Sequence, residues 1–366
     1  MKKDDNIKDL TPEELEARKK SEHSRAVRRK VMRVVDRIFG FILATAIMFG
    51  LGGLALEYVL IKGPSPALSN TFVMTMLETR RFQFIPNIFL SEAEVKEISE
   101  SRSIRTDIEF DPSLVNVDAA KPEDEDGGAD AAPQYPEDED GDGYILEEVK
   151  RKNFMGYMLT VLDPSRVFVG MPDFFGGNGF TLKQMVEKYD AIGGINAGGF
   201  ADNNGAGTGG YPKGLTIVGG ECFNDTNIGD SFAGFDQNTV LHVGYYSLKD
   251  IQATVIRDGV SFGPILIMNG EAMDTSYLVS GVNPRTAIGQ RADGAVLMLV
   301  IDGRQAHSVG CTYRDVTDIM LDYGAVNALN LDGGSSTTMY LNGEYVNSCS
   351  AGSGDSRTFP TSFLFK

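Results

Sequence analysis

Asn330-Leu-Asp-Gly-Gly-Ser-Ser-Thr-Thr-Met-Tyr-Leu-Asn-Gly343 closes an apolar run, Val326 to Leu331, with an acid, two glycines and four hydroxyl residues. Glycine and aspartate both weaken an ordinary strand. Their place at the end of a run that reads as a buried strand therefore points to a delivered functional group. Asp332 is that group. Gly333 and Gly334 let a ligand approach the backbone, and Ser335, Ser336 and Thr337 offer hydroxyls. Asn342-Gly343 is a separate hairpin turn between Thr338–Leu341 and Glu344–Asn347.

The same design recurs twice. Val296 to Ile301 runs into Asp302-Gly303-Arg304, and Ala191 to Ile195 runs into Asn196-Ala-Gly-Gly-Phe200. A strand end holds a polar group in place, and exposed N–H groups in glycine- and serine-rich turns can form anion-binding nests. Arg285, Arg304 and Arg357 add three guanidinium forks suited to phosphate or carboxylate. A structural alternative stands beside this for each arginine, bracing of a loop through backbone carbonyls.

Around these motifs the chain alternates short apolar runs with Gly and Asn. Strands are expected at 191–196, 214–218, 239–246, 263–268, 287–290, 295–301 and 326–331. Leu182, Met185, Val186 and Tyr189 share one helical face, as do Val316, Ile319, Met320 and Tyr323, with Gly324 as a stop. Many strands and few helices predict an α+β fold, a strand-rich mixed sheet domain over 144–366.

The preceding residues are of another kind. Ile38 to Leu56 are 19 uncharged, largely apolar positions, and Tyr58 to Ile61 extend them past Glu57. That length spans a bilayer as a helix. Residues 1–37 hold 12 Lys/Arg against 8 Asp/Glu, and Lys62 alone lies just after the run. The positive-inside rule then places 1–37 in the cytoplasm, a single transmembrane anchor at 38–61 and the remainder outside. A cleaved signal peptide is the alternative, disfavoured by the long charged leader. Thr11-Pro12-Glu13-Glu14 reads as a helix start, and Ser91-Glu-Ala-Glu94 as a capping box within a membrane-proximal stalk, 62–118.

Residues 119–143 have the composition of an acidic disordered linker. Asp138, Asp140, Asp142 and Gly143 fit the opening of a calcium loop, but Val149 stands where the bidentate acid belongs, so no calcium site is expected. The net charge of −17 argues against nucleic acid as a partner. Three cysteines and three scattered histidines offer no metal-ligand spacing. No cofactor is required, although the acidic strand ends leave a divalent cation open.

The set Asn196-Ala-Gly-Gly-Phe200, Asn283-Pro-Arg-Thr-Ala-Ile-Gly-Gln290, Asp302-Gly-Arg304, Asn330-Leu-Asp-Gly-Gly-Ser-Ser336 and the tail Arg357 to Thr361 resembles the phosphodiester glycosidase family over about 145–366. Asn-Ala-Gly-Gly stands where Asn-Gly-Gly is frequent in that family, and a third glycine is missing after Asp332. The resemblance implies hydrolysis between an anomeric carbon and a phosphodiester, with a glycosyl-phosphodiester in a phosphorylated glycan as substrate. Asp332 and Asp302 are then the catalytic candidates and Arg285 and Arg357 the phosphate ligands, with Arg304 as a further cation. Asn196, Gly198 and Gly199 would hold the sugar, and Gly333 to Thr337 would line the phosphate. Two other readings stay open: a serine acyl hydrolase using His307 or His242 as base, and a non-catalytic glycan-binding module.

Overall fold

In the computed structural model, residues 12–78, 84–100, 108–117, 135–201, 207–224, 230–275, 281–350 and 355–366 are described. The Thr11 cap and positions 119–134 of the acidic segment lie outside them. The chain divides into two compact units, one ending at Pro64 and the other spanning Ser65–Lys366.

The first unit is one continuous helix, α1 (Pro12–Lys62). At 1.5 Å per residue its 51 residues reach about 76 Å. Its stretch Val27–Lys62 is long and apolar enough to cross a membrane.

The second unit opens with α2 (Pro66–Glu78), α3 (Pro86–Phe89) and α4 (Glu92–Glu100). Ser91 caps α4 as its sequence predicts: its N–H donates to the Glu94 carboxylate at 2.7 Å, and its hydroxyl accepts from the Glu94 N–H at 3.3 Å. Residues 108–117 then lie along the sheet domain rather than apart from it. The Asp111 N–H donates to Asn269 Oδ1 at 2.8 Å, and Asn116 N–H to the Ala292 carbonyl at 2.7 Å. Phe110 packs edge-on to His242, with ring centroids 5.4 Å apart.

Three antiparallel sheets follow, so the α+β class is as the sequence indicates. The largest has seven strands: β1 (Tyr144–Lys150) and β2 (Met155–Val161) at one edge, β10 (Ile265–Met268) and β11 (Glu271–Ala272) at the other. Between them lie β12 (Arg285–Arg291), β13 (Val296–Ile301) and β14 (Ala325–Leu331), in the order β1-β2-β13-β12-β14-β10-β11. A second sheet joins β3 (Val167–Gly170), β4 (Gly193–Asn196), β15 (Met339–Leu341), β16 (Glu344–Tyr345) and β17 (Ser362–Phe365). The third contains β5 (Thr216–Val218), β6 (Glu221–Asn224), β7 (Asp230–Asp236), β8 (Leu241–Tyr246) and β9 (Ile256–Ser261).

β13 shows why these runs become inner strands. Successive side chains point to opposite faces. Val296, Met298 and Val300 therefore enter the core shared by all three sheets, while Leu297, Leu299 and Ile301 enter the layer under α7 (Tyr313–Asp322). Each fully buried side chain of this kind contributes about 1.5–3 kcal/mol relative to exposure. α7 and α5 (Leu182–Tyr189) form where the apolar spacing predicts, and Thr312 and Thr181 close capping boxes at their starts. α6 (Leu248–Thr254), capped by Ser247 and Asp250, is an addition to the sequence reading. So are β1, β2, β3, β7, β9 and β17. Asn342-Gly343 makes its hairpin with both residues at positive φ.

Candidate functional site

The end of β14 meets the end of β4 at a seam between two sheets. The Asp332 N–H donates to the Ala197 carbonyl at 3.0 Å, and the Asp332 carbonyl accepts from Asn196 Nδ2 at 2.6 Å. Asn196 Oδ1 accepts from the Thr286 hydroxyl at 2.9 Å and from the Thr338 N–H at 3.1 Å. One side chain thus joins β4, the start of β12, the end of β14 and the entry to β15. Asn196 is 1% exposed, so its amide is committed to protein groups. It ties the Asp332 backbone to the end of β4.

Gly198 and Gly199 are buried as well. A Cβ on Gly199 would lie 2.8 Å from the Phe262 ring, so this glycine serves close packing. After Asp332 the chain turns tightly. A Cβ on Gly333 would stand 2.8 Å from the Pro284 carbonyl oxygen, and Gly334 adopts φ +62°, which favours glycine.

Two arginines flank this turn. Arg304 lies over Gly334, its guanidinium nitrogens 3.3–3.4 Å from where a Cβ would be, and donates to Asn283 Oδ1 at 2.7 Å. Arg357 crosses Phe200, 4.8 Å from the ring centre, and donates to Ser335 Oγ at 3.3 Å and Ser336 Oγ at 3.5 Å. Ser350 closes a third side by donating to the Gly334 carbonyl at 3.3 Å. Asp332, Arg304, Arg357, Ser335 and Ser336 therefore come together. Thr337 is at the turn but inward, 2% exposed, with its hydroxyl unpartnered among the described residues.

Arg285 is not brought to this turn through its side chain. Thr286 points towards Asn196, so by strand alternation Arg285 points to the opposite face. There its guanidinium lies 4.1 Å from the Tyr313 ring centre and donates to the carbonyls of Cys311 and Gly281. These contacts are of the loop-bracing kind named as the alternative for each arginine.

Asp302, the second catalytic candidate, sits deeper at the end of β13. It is 2% exposed, and its carboxylate accepts from Asn347 Nδ2 at 3.0 Å and from the Ser348 N–H at 3.3 Å. His307 Nε2 lies 3.2 Å from the same carboxylate. Its carboxylate thus ties together the Asn347 side chain, the Ser348 backbone beside the turn and the exposed His307. Asn347 extends the link by donating to the Thr337 carbonyl at 3.3 Å. Asn283, Asn347 and Ser350 are the polar residues that the sequence reading missed. Asn283 had a signal, an Asn-Pro entry to the strand that carries Arg285.

A Ser-His pair is not formed among the described residues. Ser335 and Ser336 face Arg357, His307 faces Asp302, and buried His242 lies against Asp236 and Tyr246. The three cysteines are free thiols. Burial pushes the Cys349 thiol up, against the pull of its Thr338 hydrogen bond, and the nearby Asp302 and Asp355 charges push further. A thiol so placed is a poor nucleophile. Asp138, Asp140 and Asp142 bring their carboxylates within 4.8 Å of one another, but two of the three are exposed and Val149 lies in β1. Asp138 accepts from the Gly141 and Gly143 N–H groups and Asp142 from the Tyr144 N–H.

Residues 189–366 match the phosphodiester glycosidase family. The SPβ prophage-derived uncharacterised protein YomE of Bacillus subtilis is 29% identical over 205 residues, 52% of this chain and 30% of that protein. The bovine N-acetylglucosamine-1-phosphodiester alpha-N-acetylglucosaminidase is 38% identical over 65 residues, 18% of this chain and 12% of the enzyme. The aligned stretches thus span less than a third of these curated relatives. Among solved structures, the catalytic domain of the zebrafish N-acetylglucosamine-1-phosphodiester alpha-N-acetylglucosaminidase, auto-inhibited by its pro-peptide, superimposes with a TM-score of 0.51. Identity is 22%, over 61% of this chain and 81% of that one, a likeness of fold.

Proposed function

We propose, from the match of residues 189–366 to the phosphodiester glycosidase family, that the protein hydrolyses a sugar-1-phosphodiester in a cell-surface or extracellular glycan, held at the membrane by α1. The observation that carries this reading is the acid-bearing turn with an arginine on either side. An anionic phosphodiester is drawn to the Arg304 and Arg357 guanidiniums, with Ser335 beside Arg357 as a further donor. The sugar's anomeric carbon then faces Asp332.

Cleavage of the C1–O bond passes through an oxocarbenium-like state. Asp332 stabilises that positive charge and guides the attacking water to the anomeric carbon, while the C1–O electron pair leaves with a phosphate monoester, an anion that already delocalises its charge. A general acid is therefore dispensable, which agrees with Asp302 being buried and engaged. Asp302 and Asn196 keep the two sides of the turn in place. The basic leader before the apolar span supports an orientation with the sheet domain outside the cytoplasm.

The test is sugar release from UDP-GlcNAc and from a GlcNAc-1-phosphodiester by the full-length protein in nanodiscs. Turnover supports the hydrolase. Binding without turnover, across a panel that includes wall polymers, would favour the glycan-binding module instead. Arg357→Ala should lower kcat/KM roughly 10- to 100-fold, the size of a lost hydrogen bond to a charged group, about 1.5–3 kcal/mol. Arg357→Lys should recover part of it, since charge remains and the fork does not. Wild-type kinetics in the Ala variant would remove Arg357 from the site.

A further inference from the structure

Three aromatic side chains, Phe175, Tyr211 and Phe223, gather on loops joined to the residues beside Arg357, and exposed Phe174 directly precedes Phe175 in the chain. Phe174 is 80% exposed, Phe175 45% and Tyr211 55%, and Phe223 is half-buried beside them. Phe175 stands 6.0 Å from the Tyr211 ring and 6.4 Å from that of Phe223, centroid to centroid. Large apolar side chains grouped on a surface mark a binding face more often than chance exposure does.

The platform is built and held. Gly176 is at φ +79°, and a Cβ there would lie 2.6 Å from the Tyr211 ring, so the ring rests on bare backbone. The two loops are laced together: Gly176 N–H donates to Gly210, Gly179 N–H to Thr208, and the Thr208 hydroxyl to Gly177, at 2.8–2.9 Å. They also connect to the turn. The Tyr211 carbonyl accepts from the Ala201 N–H, next to the Phe200 ring under Arg357. The Thr358 hydroxyl, beside Arg357, donates to the Thr208 carbonyl at 3.2 Å.

We propose that Phe174, Phe175 and Tyr211 form a stacking platform for the sugar rings of the glycan chain that carries the scissile phosphodiester. This rests on the reading of the turn as a phosphodiester site. A pyranose ring has an apolar face of C–H groups that lies flat on an aromatic ring, while its hydroxyls stay in water. Chemistry favours this occupant over an anionic lipid surface. Residues 144–366 carry 15 Lys/Arg against 23 Asp/Glu, and the acid next to Phe174, Asp173, is exposed. The platform would let the enzyme select a saccharide chain over an isolated sugar phosphodiester.

The experiment uses the full-length protein in nanodiscs and the double variant Phe174→Ala/Tyr211→Ala. Binding of chitotetraose, which has no phosphate, is read first and does not depend on turnover. Its affinity should fall at least tenfold in the double variant and be retained in Phe174→Tyr. Turnover is read second. KM for a polymer of GlcNAc-1-phosphate repeats, in which each link is a glycosyl phosphodiester, should rise about tenfold, while kcat/KM for UDP-GlcNAc stays within twofold. Wild-type protein that does not bind chitotetraose, or equal losses on polymer and UDP-GlcNAc, would overturn the platform. An enzyme inactive on both substrates that still binds chitotetraose through these rings would sink the hydrolase reading and leave the platform standing.

Discussion

Asp332→Asn is expected to lower kcat on a glycosyl phosphodiester by roughly 10³-fold, within the about 10²–10⁴-fold range of a positioned acid–base group. The substitution is isosteric. Asp332's backbone N–H and carbonyl keep their bonds to Ala197 and Asn196 whatever the side chain, so the turn should persist. The thermal midpoint should stay near that of the wild type, while KM changes little because Arg304 and Arg357 remain. Steady-state kinetics with UDP-GlcNAc, beside a melting curve, separates the two effects. Activity above a tenth of wild type would remove Asp332 from the chemistry.

Asn196→Ala should do the opposite kind of damage. It removes the donor to the Asp332 carbonyl and the acceptor shared by Thr286 and Thr338, and it strands a buried N–H and hydroxyl. Each stranded group costs about 1–3 kcal/mol. The sum is about 3–5 kcal/mol, a large share of an ordinary domain's stability. Urea unfolding should show the shift in midpoint, and activity should fall with it because the turn loses its tie. Asn196→Asp keeps both acceptor bonds but sets a carboxylate against the Asp332 carbonyl. It should therefore lose activity out of proportion to stability. Full stability in the Ala variant would contradict the tie.

What was readable from sequence follows from what each signal measures. The run Val326–Leu331 is apolar at four of its six positions, two in each phase of the strand alternation, so a strand buried on both faces was legible, and Gly333-Gly334 marked where it stops. Arg357, a phosphate candidate on its sequence, donates to Ser335 and Ser336 of the turn. Arg285 shows the limit. It sits one residue from Thr286, and only pairing with β14 fixes which of the two faces Asn196. A one-residue difference in strand phase reverses the face, and a lone sequence does not carry it. The surroundings of Asp302 were hidden for a related reason: the bonds that occupy its carboxylate come from Asn347 and Ser348, 45 and 46 positions away. The strands that escaped notice are weakly patterned. β1 carries Glu147-Glu148 in its middle, and β17 is four residues near the end of the chain.

The clamp on Asp332 also acts as a ruler. With both backbone groups bonded to the β4 end, the carboxylate can move only by rotating its own side chain. Asp332→Glu adds one methylene, about 1.5 Å of reach, and the turn cannot recede to absorb it. Misplacement of that size at a reacting centre can cost about 10²-fold. Glutamate, with the same charge, should therefore rescue little of what asparagine loses. Parallel kinetics on the two variants would read how rigidly the strand ends set the distance from carboxylate to sugar.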